Sequence, residues 1–265
     1  MSTAPPPPRS TVEPRGEPRQ PDHYSYAIYA DPRTASSFDA RRFGGPIGIL
    51  LLEDQQRVIE AFLGDLAGLR VIDVGTGTGR AALALARRGA CVTGVDASTE
   101  MLKVAAERAQ ESGLAIEFVP GDAHDLAYAD RAFEAAVCLR VLMHAPDWKQ
   151  CLAELCRVAG RRVVFDYPAL GSLAALQAAA RRIAHAAGRR VESYRVLSAR
   201  SITRELERHG FHILAVHRQF VLPIACHKAI GSPRVTRVVE EALARIGLLR
   251  LAGSPVTVVA ERCAS

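Results

Sequence analysis

Lysine is almost missing from this 265-residue chain: only Lys103, Lys149 and Lys228 occur, so the net charge of +6 is carried by arginine. The arginines are scattered, and no basic cluster is interleaved with aromatics, which argues against a nucleic-acid-binding face. The six cysteines form no C-x-x-C pair, which removes the usual zinc and dithiol motifs. Most of them sit in apolar runs, as buried free thiols do. No apolar run is long enough to span a bilayer and no signal peptide is recognisable, so the expectation is a soluble, reduced, cytoplasmic protein. Residues 1–21 have almost no large apolar side chains and contain four successive prolines. They cannot bury a face and are expected to be a disordered tail.

The richest stretch is Arg70 to Glu100. Val71, Ile72 and Val74 form a short apolar run, as in a strand buried on both faces. The run breaks at Gly75-Thr76-Gly77-Thr78-Gly79, and an alanine-rich segment of high helix propensity follows to about Arg88. Gly89 closes it, and a second apolar run, Cys91 to Val95, ends in Asp96. A strand–glycine loop–helix–strand–acid unit suits a nucleotide-like ligand. Glycines let the backbone come close, the helix start offers free N–H groups, and the acid can accept ribose hydroxyls. The spacing is G-x-G-x-G rather than the G-x-G-x-x-G of dinucleotide folds, and Asp73 stands two residues before the first glycine. A carboxylate there repels a pyrophosphate and welcomes a cationic amino acid moiety, which favours S-adenosylmethionine.

With VIDVGTGTG followed by VTGVDAS, the chain resembles the class I S-adenosylmethionine-dependent methyltransferases from about Gln55 to Phe220. The resemblance implies an α/β fold: a three-layer, Rossmann-like, doubly wound sheet of seven strands, order 3-2-1-4-5-7-6, the last strand antiparallel. Residues 49–265 would form this domain, with a helical insertion at about 221–253 that includes an amphipathic helix marked by Val235, Val238, Val239, Ala242, Leu243 and Ile246. Residues 22–48 would form a lid segment. Tyr24 and Tyr29 would then close the methionine side of the pocket and Arg41-Arg42 would face the substrate, the alternative being ordinary packing against the first helix.

The expected cofactor contacts are Asp73, Gly75, Thr76, Gly77, Gly79, Asp96 and Ala97, with Met101 either flooring the adenine or packing in the core beside Leu102, Ala105, Ala106 and Ala109. By resemblance Asp122 accepts the adenine amino group, the Ala123 N–H meets the ring, and Leu139 borders the cofactor. Methyl transfer from a sulfonium needs alignment more than a base, and no catalytic constellation stands out. His144, just past the fourth strand, is the candidate general base. Arg140, Asp166 and Tyr167 are candidates for positioning the acceptor. The D/N-P-P-aromatic motif of amino-methylating nucleic-acid enzymes is missing, and Asp166 is followed by Tyr rather than Asp or Asn, so no metal site is expected. The reading is a methyltransferase acting on a small-molecule acceptor, O-methylation preferred. Protein or RNA acceptors and a non-catalytic cofactor-binding role are the alternatives.

Overall fold

The computed structural model describes residues 32–186 and 194–264. The predicted tail, Tyr24 and Tyr29 therefore lie outside the described residues. At the centre runs β1 (Arg70–Val74), parallel to β2 (Cys91–Asp96) on one side and to β4 (Phe133–Cys138) on the other. Beyond them lie β3 (Glu117–Pro120), paired with β2, and β5 (Ala159–Tyr167), paired with β4. The last strand, β7 (Ser254–Arg262), inserts antiparallel between β5 and β6 (Phe211–Phe220). The order is β3-β2-β1-β4-β5-β7-β6, as the resemblance implied.

Side chains alternate across the sheet, and the two faces have separate cores. Ile72, Ala136, Val163 and Phe165 point to one core, which α5 (Trp148–Val158) and α7 (Ala199–Arg208) complete through Leu152, Leu155, Ile202 and Leu206. Val71, Ala135, Val137 and Val164 point to the other, covered by Ile59 and Leu63 of α2 (Gly45–Leu63) and by Ala82 and Leu85 of α3 (Arg80–Arg87). This period of two sets the site. Asp73 and Asp166 share the parity of Val71 and Val164, so both carboxylates face α2 instead of the first core.

Local signals fix the helix starts. Ser98 accepts the Met101 N–H before α4 (Thr99–Glu111), Asp147 caps α5, and Ser198 caps α7. At the end of the first described span, α6 (Leu173–Ala186) follows β5. α1 (Pro32–Phe43) precedes α2, which begins at Gly45. Pro46 supplies a favourable helix start there.

Three expectations are corrected. Ala106 is exposed, because α4 turns only Met101, Leu102, Ala105 and Ala109 inward. Cys91, Cys226 and Cys263 are exposed; only Cys138, Cys151 and Cys156 are buried. The insertion folds as α8 (Ile224–Ile230), α9 (Pro233–Arg245) and α10 (Leu248–Ala252). Of the expected apolar stripe, Val238 of α9 and Ile246 just past its end are 67% and 71% exposed, Val239 and Leu243 are half-buried, and Thr236 and Glu240 are buried.

Candidate active site

The loop closing β1 forms the first wall of a cleft at the carboxyl ends of the parallel strands. Gly75 and Gly77 have φ of +70° and +56°, a region that glycine enters without steric cost. Their reasons differ. A Cβ on Gly75 would lie 2.2 Å from Val141 Cγ2, whereas one on Gly77 would meet nothing within 4 Å. Gly75 thus lets the loop pack against the segment after β4, and Gly77 leaves bare backbone on the cleft wall. The Gly75 and Thr76 N–H groups both donate to the Val95 carbonyl, at 2.7 and 3.0 Å.

Asp96 is tied to that loop. Its Oδ2 accepts the Gly77 N–H at 2.8 Å and its Oδ1 accepts the Ser98 N–H at 2.9 Å. Burial pushes its pKa up, and the backbone hydrogen bonds oppose the shift. A carboxylate offers about four acceptor positions, so capacity remains for a ligand's hydroxyls.

The cleft encloses about 980 Å³ including its open mouth. Gly75, Gly77, Asp96, Ala97, Met101, Ala123, Leu139, Arg140 and His144 all reach its wall. Asp73 and Thr76 do not. They border a second cavity between α2 and α3, where Asp73 Oδ2 accepts the Thr76 hydroxyl at 2.6 Å. Gly79 caps α3. Asp122 lies past the end of β3, but its Oδ1 holds His124, accepting the N–H at 2.9 Å and contacting Nδ1 at 2.7 Å, and His124 is what reaches the wall. Asp166 and Tyr167 are buried beneath it. Asp166 Oδ1 accepts the Arg140 N–H at 2.5 Å, which helps hold Arg140 at its left-handed φ of +64°. Such a backbone in a non-glycine residue needs support from its surroundings. Burial raises the Asp166 pKa, and Arg140 opposes the rise.

Helix α1 closes the cleft from above the loop. Phe38 and Arg42, one turn apart, line it. Asp39 between them accepts the Thr78 hydroxyl at about 3 Å and pairs with Arg108 of α4. It also lies 3.4 Å from Arg80 Nε. Arg80 lines both cavities, with its guanidinium 3.6 Å from the centre of the Phe43 ring. Its Nε and Nη1 are buried without a hydrogen-bond partner. Burial lowers its pKa to about 10, opposed by Asp39, so it stays charged at neutral pH.

Sequence reasoning missed Arg80, His124 and the role of Phe38. A signal existed for the first: Arg80 directly follows the last loop glycine, at the first residue of the helix. Arg42 was expected at the substrate and lies on the wall. Among the described residues no group of three or more His, Cys, Asp or Glu side chains is placed to hold a metal ion. Cys138 is buried, and burial pushes its thiol well above its ordinary pKa, which leaves it unreactive.

Asp73 has a testable titration. Burial lifts its pKa to about 6, the Thr76 hydroxyl opposing the shift. The carboxylate is therefore present above pH 6 and lost below it, and with it the charge that anchors Thr76 in the loop. Affinity for a ligand of this loop is expected to fall severalfold between pH 7 and pH 5. Asp73→Asn should flatten the profile; titrations with S-adenosylhomocysteine across that range check it.

The doubly wound sheet with its glycine loop and strand-end acid defines a nucleoside-binding domain of the Rossmann-like class. Residues 72–163 match the family described as "Methyltransferase domain". Methyltransferase GfsG of Streptomyces halstedii is 34% identical over 161 residues, 57% of this chain and 53% of that protein. The demethylmenaquinone methyltransferase of Thermus thermophilus is 36% identical over 119 residues, 43% and 54% respectively. A ubiquinone biosynthesis O-methyltransferase of Actinobacillus pleuropneumoniae is 40% identical over 87 residues, 31% and 37%. The chain spans about half or less of the length of these relatives. Among solved structures, magnesium protoporphyrin IX methyltransferase from Synechocystis, with bound SAH, superposes with a TM-score of 0.63 at 21% identity, covering 89% of this chain and 99% of that one. The [4+2]-cyclase SpnF superposes with a TM-score of 0.57 at 22% identity, covering 80% and 81%. Residues 72–163 thus match a methyltransferase domain, set in the Rossmann-like sheet order that the class I S-adenosylmethionine-dependent resemblance implied.

Proposed function

We propose that the protein transfers a methyl group from S-adenosylmethionine to a small-molecule acceptor, O-methylation being the preferred reaction. One observation carries the reading: the acid ending β2 is bonded to the bare backbone of the glycine loop on the cleft wall. The residues present fit the donor. Asp96 would accept the ribose hydroxyls, Ala97 and Met101 would lie along the adenine, and Ala123 with the Asp122–His124 pair would meet its edge. The buried Nη1 of Arg80, which has no hydrogen-bond partner among the described residues, fits the methionine carboxylate. Bound there, the donor supplies a methyl group already activated by the sulfonium charge.

The protein's own contribution is placement and exclusion of water, worth roughly 7–11 kcal/mol when reactants are well aligned. Arg140, Val141 and His144 line the part of the cleft beyond β4, where the acceptor would lie. His144 is buried on that wall and would take the proton of an acceptor hydroxyl, a contribution of about 10²–10⁴-fold. Phe38 and Arg42 of α1 narrow the mouth, which supports a small acceptor over a protein or RNA chain.

Calorimetric titration tests the donor: S-adenosylhomocysteine is expected to bind and NAD not to. Labelled-methyl transfer into small-molecule, protein and RNA fractions of an extract then tests the acceptor class, with label expected in the first. His144→Ala is expected to lower kcat with little change in donor affinity and to remove the acidic limb of the pH profile. An unchanged profile would exclude His144 as the base, and donor binding without transfer would favour a non-catalytic role.

A further inference from the structure

We infer that Asp39 of α1 is a positioning residue for the donor: it holds the Arg80 guanidinium by its Nε edge and leaves Nη1 to the methionine carboxylate. The inference rests on the donor reading above. Asp39 does not reach the cleft wall itself. It meets three elements that border the donor. The Thr78 hydroxyl of the glycine loop lies 3.1 and 3.0 Å from its two oxygens. Arg108 Nη1 of α4 pairs with Oδ2, and Arg80 Nε at the start of α3 lies 3.4 Å from Oδ1. One carboxylate of the covering helix therefore joins the loop and the two helices that follow its neighbouring strands.

Arg80 needs such a hold because it borders two spaces, the cleft and the cavity between α2 and α3. Asp73 borders the second cavity and also attracts Arg80, but more weakly than Asp39 does. The covering helix supplies the rest of the grip. The guanidinium carbon lies 3.6 Å from the centre of the Phe43 ring and 5.6 Å from that of Phe38. Ring faces fix the plane of a guanidinium, and a carboxylate at one edge fixes its rotation within that plane. With Nε beside Asp39, Nη1 is left buried and without a hydrogen-bond partner among the described residues. A buried donor in that state calls for an acceptor, and the donor's carboxylate is the group with matching charge. Within this cluster one carboxylate stands against two guanidinium groups, those of Arg80 and Arg108. Asp39 thus orients Arg80 without cancelling its attraction for an anion.

The test titrates the full chain with S-adenosylhomocysteine and with its decarboxylated counterpart, which keeps the amine and lacks only the carboxylate. The unmodified protein is expected to favour S-adenosylhomocysteine about tenfold or more. Asp39→Asn keeps an acceptor for Thr78 but loses the charge that holds Arg80. It is expected to cut the preference about threefold or more, while affinity for the decarboxylated ligand changes by less than about twofold. Arg108→Gln loosens α1 from α4 and leaves the Asp39–Arg80 pair in place, so the preference should stay within about twofold of the unmodified protein. The inference is overturned if Asp39→Asn leaves the preference intact, or weakens both ligands alike, which is what a loss of helix docking alone would do. It is also overturned if Arg108→Gln lowers the preference as far as Asp39→Asn does. Equal binding of the two ligands by the unmodified protein would mean that no carboxylate sits at Arg80, which sinks the inference and leaves the ribose at Asp96. Binding of neither would sink the donor reading itself.

Discussion

Replacing Asp96 with alanine is expected to weaken S-adenosylhomocysteine binding by about 10²–10⁴-fold. Two hydrogen bonds to a charged acceptor are lost, each worth roughly 1.5–3 kcal/mol, and about 1.4 kcal/mol corresponds to a tenfold change in affinity. Part of the loss comes from the protein itself, because the Gly77 and Ser98 N–H groups lose their acceptor and the loop loses its tie to β2. Asp96→Asn should fall between, since one amide oxygen still accepts while its NH₂ group faces a backbone donor. Calorimetry on both variants, with melting temperatures of the ligand-free proteins to separate binding from folding, measures the effect. Affinity within threefold of the unmodified protein would mean that no ribose sits at the end of β2.

What the sequence made legible follows from the range of the interactions. The strand–loop–helix–strand unit was readable residue by residue because each signal is local: an apolar run, a glycine-rich break, an alanine-rich helical segment, a closing Gly89. The strand order was not in any residue pattern; it came with the family resemblance. Long-range partnerships were hidden. Nothing around Asp73 tells a reader that the pleat turns it towards α2, or that Thr76 three residues on will occupy it. Nothing around Asp122 announces that His124 will take its carboxylate. The Arg80–Asp39–Arg108 cluster joins three helices separated by up to 69 residues, beyond the reach of any spacing rule.

The insertion gives the sharpest case, and the second large effect. Periodicity marked Val235, Val238, Val239, Ala242, Leu243 and Ile246 as the apolar side of a helix, yet Val235, Val238, Ala242 and Ile246 are exposed, Val239 and Leu243 are only half-buried, and Glu240 is buried. The reason is polar. Strand β6 ends at Phe220, and the next two backbone N–H groups, of Val221 and Leu222, have Glu240 Oε2 and Oε1 as acceptors at 2.7 and 3.0 Å. Oε1 also meets Nε2 of the fully buried His227 at 2.9 Å, whose ring packs against Phe220. One carboxylate thus satisfies three groups on two segments, two of them buried, and α9 turns Glu240 inward. Glu240→Ala is expected to destabilise the protein by about 3–5 kcal/mol, the usual effect of removing one partner from a buried polar pair. Glu240→Gln should recover only part, because its amide NH₂ would confront a donor. S-adenosylhomocysteine affinity should change by less than about threefold, since no residue of α8–α10 lines the cleft. Denaturant midpoints and calorimetry read the two quantities separately. A loss of stability below about 1 kcal/mol would place Glu240 in the range of a surface substitution and leave the exposed valine stripe without its physical cause.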